Sequence, residues 1–234
     1  MRVTNKWGIG VIVAAAVLLT GCSGTADKPA DSTPSTNASQ EAEAPQSDCP
    51  ELTEGATIDG SALGTCIAAA GEAIAGYAAT MSTMGIESTA KYNPSERALQ
   101  TDSPVGSVIA IGDDAWVKTP TADWQVADTA SSDPIVAALS NAATAASSVE
   151  PTAMASSLSG EFTVTGTGER LGKPVYLVSG SVEQQGVSVD VVFEVTKDFE
   201  SLASTSTASV NGQSVESTMV VTEWDVKQDI VAPL

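Results

Sequence analysis

The side chains that could do covalent chemistry are few in this chain of 234 residues. It has three cysteines, Cys22, Cys49 and Cys66, and it has no histidine. Without histidine there is no Ser-His-Asp or Cys-His catalysis, and no histidine-ligated zinc or iron site. Any catalysis would have to use carboxylates, lysine or tyrosine. We therefore predict a protein that is not an enzyme and that uses no cofactor and no metal.

Cys22 stands where a lipid-attachment cysteine would stand. Arg2 and Lys6 precede an uncharged apolar stretch over 7–18, which has the length of a secretory signal rather than of a membrane-spanning helix. That stretch ends in Leu19-Thr20-Gly21-Cys22, with small residues before the cysteine. We predict a lipoprotein signal, with lipidation of Cys22 by acyl chains such as palmitate. An ordinary signal peptide with a chance cysteine, or an uncleaved anchor, is the alternative.

The other two cysteines form a predicted pair. An exported protein lies in an oxidising compartment, where two remaining cysteines form a disulfide by default. Cys49 and Cys66 are therefore predicted to be bonded, with a stabilisation of about 3 kcal/mol in the chain-entropy model.

Net charge restricts the partners. The formal net charge is −19, and removal of a signal that carries Arg2 and Lys6 makes it −21. Such a chain repels the phosphates of nucleic acids and anionic lipid headgroups. We predict no binding to nucleic acid.

Composition divides the chain into three parts. Residues 1–21 are the predicted lipoprotein signal peptide. Residues 22–47 are the predicted lipidated cysteine and a flexible tether, because the segment after Cys22 lacks aromatic and large aliphatic side chains. Residues 48–234 have the length of one domain.

Several polar motifs allow other interpretations. The Gly-rich segment 166–172 has the wrong spacing for a dinucleotide loop and is interpreted as a turn between strands. Asp113-Asp114 could ligate a cation, although a turn between strands requires these residue types without a ligand. Asp190 and Glu194 share one strand face, as a glycosidase carboxylate pair would. Trp116, Trp124 and Trp224 are interpreted as sheet packing rather than as a sugar platform.

Two helices are predicted in the domain. The segment 63–77 has Leu63, Ile67, Ala70 and Ile74 at helical spacing. A second helix begins at Asp133-Pro134, with an N-cap aspartate and a proline in the first position. Ile135, Leu139, Ala142 and Ala146 are assigned to one face of that helix, with Val136 and Ala143 beside them. A third, short helix is predicted over 151–158.

Most of the remaining chain predicts antiparallel strands. Strands are expected over 105–111, 115–118 and from 124, separated by turns, and 78–92 is expected as one extended stretch. Val187, Val189, Val191, Phe193 and Val195 are predicted to point one way and Ser188, Asp190, Glu194 and Thr196 the other, which indicates a half-buried strand. Asn211-Gly212 predicts a hairpin that pairs Ala208 with Val215, Ser206 with Ser217, Ser204 with Met219 and Leu202 with Val221.

The predicted hairpin carries small residues on its more apolar face. Ser204, Ser206, Ala208 and Ser217 are smaller than a close-packed core requires. Either a helix backbone packs closely against them, or a void remains over them.

The order of these segments resembles the actinobacterial lipoproteins of the LppX/LprG group, which are similar in fold to the LolA/LolB carriers. The resemblance rests on 109–118 followed by Trp124, on Asp133-Pro134, on 164–169 leading to Tyr176, and on the ending 221–225 and 229–233. It implies an α+β fold, a strongly curved antiparallel sheet or half β-barrel, with helices covering the concave face and an apolar cavity between them.

The resemblance also implies a function. Members bind or carry acylated lipids or glycolipids across the cell envelope, with an envelope transporter as a further partner. The chain would be anchored by lipid at the extracytoplasmic face of the cell membrane. The cavity lining predicted here is Ile135, Leu139, Val189, Val191, Phe193, Val215 and Met219. The alternative is a surface scaffold lipoprotein whose interior is filled by its own side chains and which binds a protein partner.

Overall fold

The domain is an antiparallel β-sheet with two helices. A computed structural model describes residues 49–148, 158–184, 186–210 and 213–233. The strands are β1 Thr57–Asp59, β2 Tyr77–Thr83, β3 Ile86–Asn93, β4 Ala98–Ser103, β5 Gly106–Ile111, β6 Asp114–Lys118, β7 Gln125–Val126, β8 Glu161–Arg170, β9 Lys173–Gln184, β10 Val187–Val195, β11 Ser201–Val210 and β12 Gln213–Trp224. The helices are α1 Gly60–Glu72 and α2 Pro134–Ser148, and a short 3₁₀ turn covers Pro94–Glu96.

All twelve strands belong to one sheet. Its order is β1-β8-β9-β10-β11-β12-β2-β3-β4-β5-β6-β7, and every neighbouring pair is antiparallel. Two runs of consecutive hairpins, β8 to β12 and β2 to β7, are joined where β12 pairs with β2. This confirms the predicted α+β class with an antiparallel sheet.

The strand registers define one side of the sheet, here called the helix face. Side chains alternate along a strand, and directly paired residues share a side. Reading from β10 to β6 through the paired positions, the helix face carries Val189, Ala208, Val215, Met219, Met81, Ser88, Ala90, Thr101, Val108 and Val117. No bulge interrupts this path, so residues at its two ends lie on the same side.

Helix α1 packs on the helix face at the β8–β10 end. Asp59 is its N-cap, and the carboxylate accepts hydrogen bonds from the Ala62 N–H at 3.0 Å and from the Ser61 hydroxyl. The buried side of α1 joins a core with Phe162, Val164, Val178, Val182, Val189, Val191 and Val195. Cys66 of α1 is bonded to Cys49, as predicted, with the two Cα atoms 5.8 Å apart.

Helix α2 packs on the same face at the β5–β6 end. Asp133 caps it, accepting hydrogen bonds from the N–H groups of Ile135 at 2.8 Å and Val136 at 3.3 Å. Val136 and Ala143 are buried against Val108 and Val117. Gly106 allows this approach, because a Cβ there would lie 2.6 Å from Leu139 Cδ1 and 2.6 Å from the Lys118 carbonyl oxygen.

The opposite side of the sheet at this end is covered by the last residues of the chain. Ile230 packs with Ala98 and Ile109, and Trp116 and Trp124 lie against the same cluster, as predicted for sheet packing. Asn93 is fully buried, and its side chain hydrogen-bonds to the backbone of Gln228, donating at 2.9 Å and accepting at 2.8 Å. This pair of bonds holds the C-terminal segment on the sheet.

Several sequence predictions of the elements need correction. The first helix occupies Gly60–Glu72 rather than 63–77, since Tyr77 already pairs with Trp224 in the sheet. The stretch 78–92 is two strands that turn at Met84-Gly85, where both residues have positive φ. The buried side of α2 runs through Val136, Ser140 and Ala143, while Ile135 is 49% exposed. Of the helix predicted over 151–158, all residues except Leu158 lie outside the described residues.

Other predictions are confirmed. The hairpin pairs Ala208 with Val215, Ser206 with Ser217 and Ser204 with Met219. β10 has Val189, Val191 and Val195 buried and Ser188 and Asp190 exposed. The segment 166–172 is part of the β8–β9 hairpin, with its turn at Leu171-Gly172. Within the described part of the chain, no helix has the length and apolar character needed to cross a membrane.

Candidate binding site

The candidate site is the part of the helix face between the two helices, on strands β11, β12, β2, β3 and β4. We call it the floor. At both ends of the helix face the side chains are buried, as Val178 and Val117 are. On the floor, Ala79, Ala90 and Val221 are buried, while other side chains keep intermediate exposure. The latter are Ser204, Ser206, Val215, Ser217, Met219, Met81, Ser88, Leu99 and Thr101. The floor is therefore less covered than the two ends of the same face.

Large apolar side chains on the floor come from both halves of the sheet. Met219 is directly paired with Met81, and Val215 lies on the same face, two alternate positions before Met219 on β12. Leu99 of β4 is paired with Tyr92 of β3. Methionine side chains adapt to ligands of irregular shape because they are flexible and polarizable. These residues offer an apolar contact surface.

Hydroxyl groups on the floor are partly satisfied within the sheet. The Thr83 hydroxyl donates to Ser217 Oγ at 3.0 Å, and the Ser206 hydroxyl reaches the Ser217 carbonyl oxygen at 3.5 Å. These hydroxyl side chains are small, so they project little from the sheet. Because they are already hydrogen-bonded, they need fewer hydrogen bonds from a ligand.

Three aromatic rings lie on the helix face beside the floor. Trp224, Tyr77 and Tyr92 occupy paired positions on β12, β2 and β3. The ring centroids of Tyr77 and Trp224 are 6.2 Å apart, and those of Tyr77 and Tyr92 are 5.7 Å apart. Burial raises the pKa of Tyr77 to about 12. Burial also raises the pKa of Tyr92, with Arg97 opposing and Glu72 adding to the shift.

The seven predicted lining residues lie in three places. Val215 and Met219 are on the floor. Val189 and Val191 are buried in the α1 core, and Phe193 packs there with its ring centroid 6.1 Å from that of Phe162. Leu139 packs with the α2 core, and Ile135 is half exposed at the start of α2. The first five belong to β10 and β12, and the last two belong to α2.

Sequence reasoning missed the β2–β4 half of the floor. Met81, Ser88 and Leu99 were not assigned to it because 78–92 was predicted as one strand and β4 was not predicted. The signal that could have identified them is Met84-Gly85. A glycine between two runs rich in hydroxyl and β-branched residues is typical of a hairpin turn.

An open cleft of about 400 Å³ lies at the end of the sheet where the β2–β3 turn and the β11–β12 hairpin meet. It is lined by Ser82, Met84, Gly85, Ser214, Val215, Glu216 and Thr218. Ser82 and Thr218 are paired and face away from the helix face. Val215 alone among these residues belongs to the predicted lining, so the cleft adjoins the floor at its end.

The carboxylates that were considered for chemistry have structural partners. Glu194 accepts two hydrogen bonds from Arg170, at 2.7 and 2.8 Å, and its hydrogen bond raises the pKa of the arginine. Asp190 accepts a hydrogen bond from the Ser181 hydroxyl at 2.6 Å. Asp113 forms an exposed ion pair with Arg97 at 3.8 Å. Among the described residues, no group of three or more metal-ligating side chains comes together.

Comparison with known proteins gives matches of fold. No protein-family model matches the chain, and no curated protein matches it. The crystal structure of the Mycobacterium tuberculosis lipoprotein LppX matches with a TM-score of 0.50 at 12% identity, over 74% of this chain and 98% of that one. LprF from Mycobacterium bovis matches with a TM-score of 0.46 at 9% identity, over 74% of this chain and 96% of that one. The match to LppX shows a shared fold, and it confirms at the level of fold the resemblance to the LppX/LprG group that the sequence indicated.

Cys22 and the proposed tether lie outside the described residues, which begin at Cys49.

Proposed function

We propose that the chain is a membrane-anchored lipoprotein that binds acylated lipids or glycolipids on the floor of the helix face. One observation carries this proposal: two helices pack at the two ends of one sheet face, and Met81, Met219, Val215 and Leu99 between them keep accessible surface. In this proposal the sheet curves as a half-barrel, the helix face is its concave side, and the helices form the walls of an apolar cavity. The fold shared with LppX, a lipoprotein, supports it.

The binding energy would come from burial of acyl chains. Each square ångström of apolar surface removed from water contributes about 25 cal/mol, without a requirement for a specific geometry. Met81, Met219, Val215 and Leu99 provide such a surface, and the hydroxyls between them are small. Such a site would select ligands by the length and bulk of their acyl chains. Any selection by charge would depend on the lipid headgroup.

Anchoring would follow from the N-terminal sequence. We propose that Cys22 carries the acyl chains and that the domain stands at the extracytoplasmic face of the cell membrane, from which it delivers lipid to an envelope transporter. A single acyl chain gives marginal membrane binding, whereas two or three hold a protein stably. A Cys22→Ala chain should therefore leave the membrane fraction, while the thermal unfolding midpoint of its domain stays unchanged.

The direct test is to purify the full chain, extract it with organic solvent and identify bound lipid by mass spectrometry. We expect acylated lipid in stoichiometric amount. The proposal would be contradicted if the protein carried no lipid and failed to bind a neutral apolar dye. Co-purification of a stoichiometric protein partner in that case would favour the scaffold alternative.

Matched variants locate the site. Met81→Gln with Met219→Gln puts two amides on the floor at nearly unchanged side-chain volume. Thr80→Gln with Thr218→Gln makes the same addition on the opposite side of the same two strands. We expect the first pair to reduce bound lipid at least tenfold and the second pair to leave it unchanged. Equal loss in both pairs would show that the floor is not the binding surface.

A further inference from the structure

The aromatic row beside the floor contains a hydrogen-bond donor without a partner. Trp224 Nε1 is fully buried, and it has no hydrogen-bond partner. A buried donor that is left unpaired costs about 1 to 3 kcal/mol, which is why native structures rarely keep one. Such a group is therefore explained best by a ligand that supplies the acceptor.

The position of the indole is fixed by the sheet. Trp224 pairs with Tyr77, and Tyr77 pairs with Tyr92, so the three rings follow one another across β12, β2 and β3. The bulge between Val221 and Glu223 returns Trp224 to the helix face after one extra residue. Trp224 thus stands on the same face as Val221, Met219 and Met81. Val221 and its partner Ala79 lie between the two methionines and the aromatic row, and both are buried.

The surroundings favour an uncharged acceptor. Burial is the largest cause of the raised pKa of both tyrosines, which indicates a site of low polarity at this end of the face. An anionic carboxylate at the indole would lose its hydration, and the charge of Arg97 acts on Tyr92, at the other end of the row from Trp224. A carbonyl oxygen accepts a hydrogen bond without that cost.

We propose that the aromatic row binds the carbonyl oxygen of an ester-linked acyl chain, with Trp224 Nε1–H as the donor. This inference rests on the proposed function and adds to it the chemical class of the ligand. The hydrocarbon of the chain lies along the floor, against Met219 and Met81. The ester reaches the indole by displacing the groups that cover Val221, Ala79 and Trp224 Nε1. The chain is then held at one defined depth.

Two probes of equal size separate the ester from the hydrocarbon. Methyl decanoate and tridecane each have thirteen non-hydrogen atoms, and only the first has a carbonyl. Their affinity for the purified full chain is measured by displacement of the neutral dye N-phenyl-1-naphthylamine. Trp224→Phe removes the indole N–H and keeps an aromatic ring, and Trp116→Phe makes the same change on the opposite side of the sheet.

We expect Trp224→Phe to weaken methyl decanoate binding about five- to tenfold and to change tridecane binding less than twofold. Trp116→Phe should change neither. Equal weakening of both probes by Trp224→Phe would overturn the carbonyl contact and leave lipid binding intact. Failure of the unaltered chain to bind either probe would overturn the proposed function itself.

A second measurement observes ligand binding to the unaltered chain by NMR. In a ¹⁵N-correlated spectrum of the full chain, the Trp224 indole signal is assigned by its loss in Trp224→Phe. Methyl decanoate should move this signal to lower field, as a new hydrogen bond does, and tridecane should not. An indole signal that responds to both probes alike would contradict the proposal.

Discussion

At the scale of single residues, the packing around Phe162 leaves no room on the neighbouring strand. Phe162 is fully buried, and it is paired with Gly180. A Cβ at position 180 would lie 2.6 to 2.8 Å from three atoms of the Phe162 ring. The ring cannot move aside because the α1 core surrounds it.

Gly180→Ala should therefore destabilise the domain by about 1 to 3 kcal/mol, as overpacking in a filled core does. Gly168→Ala in the same hairpin is the matched control, since its Cβ would meet Val175 at an ordinary 3.5 Å. Urea unfolding of both variants measures the difference. Equal stability of the two would contradict the packing described here.

Tyr77 gives the domain a pH dependence at the alkaline limit. A tyrosine ionises near pH 10 in an unfolded chain, and burial raises the pKa of Tyr77 to about 12. Between these values the folded state keeps a proton that the unfolded state has lost, so stability is complete below pH 10 and falls as the pH rises to 12.

Tyr77→Phe should remove this part of the alkaline loss. We expect the free energy of unfolding of the unaltered chain to exceed that of Tyr77→Phe by a constant amount from pH 7 to 9. This excess should then shrink by about 2 to 3 kcal/mol between pH 10 and 12. Urea unfolding across this range measures it, and parallel curves to pH 12 would contradict the assignment.

At the scale of elements, one hydrogen bond ties α2 to the loop that leads into it. Ser140 is fully buried, and its hydroxyl oxygen accepts a hydrogen bond from the Asp128 N–H at 2.8 Å. Ser140→Ala leaves this N–H unpaired and should cost about 1 to 2 kcal/mol. Hydrogen exchange of the Asp128 amide should accelerate.

Asn141→Ala, at the exposed neighbouring position, is the control for Ser140→Ala. Its side chain donates to the Ala137 carbonyl oxygen at 2.8 Å on the helix surface. Stability should change by less than about 0.5 kcal/mol there, because surface substitutions have small effects. A faster Asp128 amide in both variants would mean that α2 itself has loosened.

Elements with a strong local pattern could be predicted from the sequence. β10 carries apolar residues at every second position, and the Asn-Gly pair in the sequence was enough to predict the β11–β12 register that is observed. The start of α2 follows from Asp133-Pro134. In each case the information lies within a few neighbouring residues.

Elements whose pattern depends on tertiary contacts could not be predicted. β4 reads Ala-Leu-Gln-Thr-Asp-Ser, and only its pairing between β3 and β5 makes it a strand. The buried face of α2 was misassigned because alanine dominates the helix, so that Gly106 and Ser140 rather than apolar size decide which side docks. The β4 part of the floor was missed for the same reason. The β2–β3 part was missed because the local turn signal of Met84-Gly85 was not used.

At the scale of the whole molecule, the Cys49–Cys66 disulfide closes a loop across the first elements of the domain. The bonded residues are separated by 17 positions in sequence. Replacement of both by alanine should lower the free energy of unfolding by about 3 kcal/mol, because the unfolded chain regains the freedom that the loop removed.

The measurement is urea unfolding of the double variant against the unaltered chain, oxidised and reduced. The reduced chain should unfold near the double variant. If reduction leaves the midpoint unchanged, the loop is not a source of stability. The same samples should be tested for lipid, since the floor lies away from the disulfide and its content should survive reduction at neutral pH.

The loop also decides how the domain withstands a mechanical load. β1 is a three-residue edge strand held by β8 alone, and it lies between Cys49 and Cys66 in the chain. A force applied to the chain before Cys49 passes through the sulfur atoms into α1 and does not travel along the backbone of β1. The edge of the sheet is thereby shielded from being unzipped strand by strand. Tension at the N-terminus is instead borne by a helix that is buried against the Phe162 core.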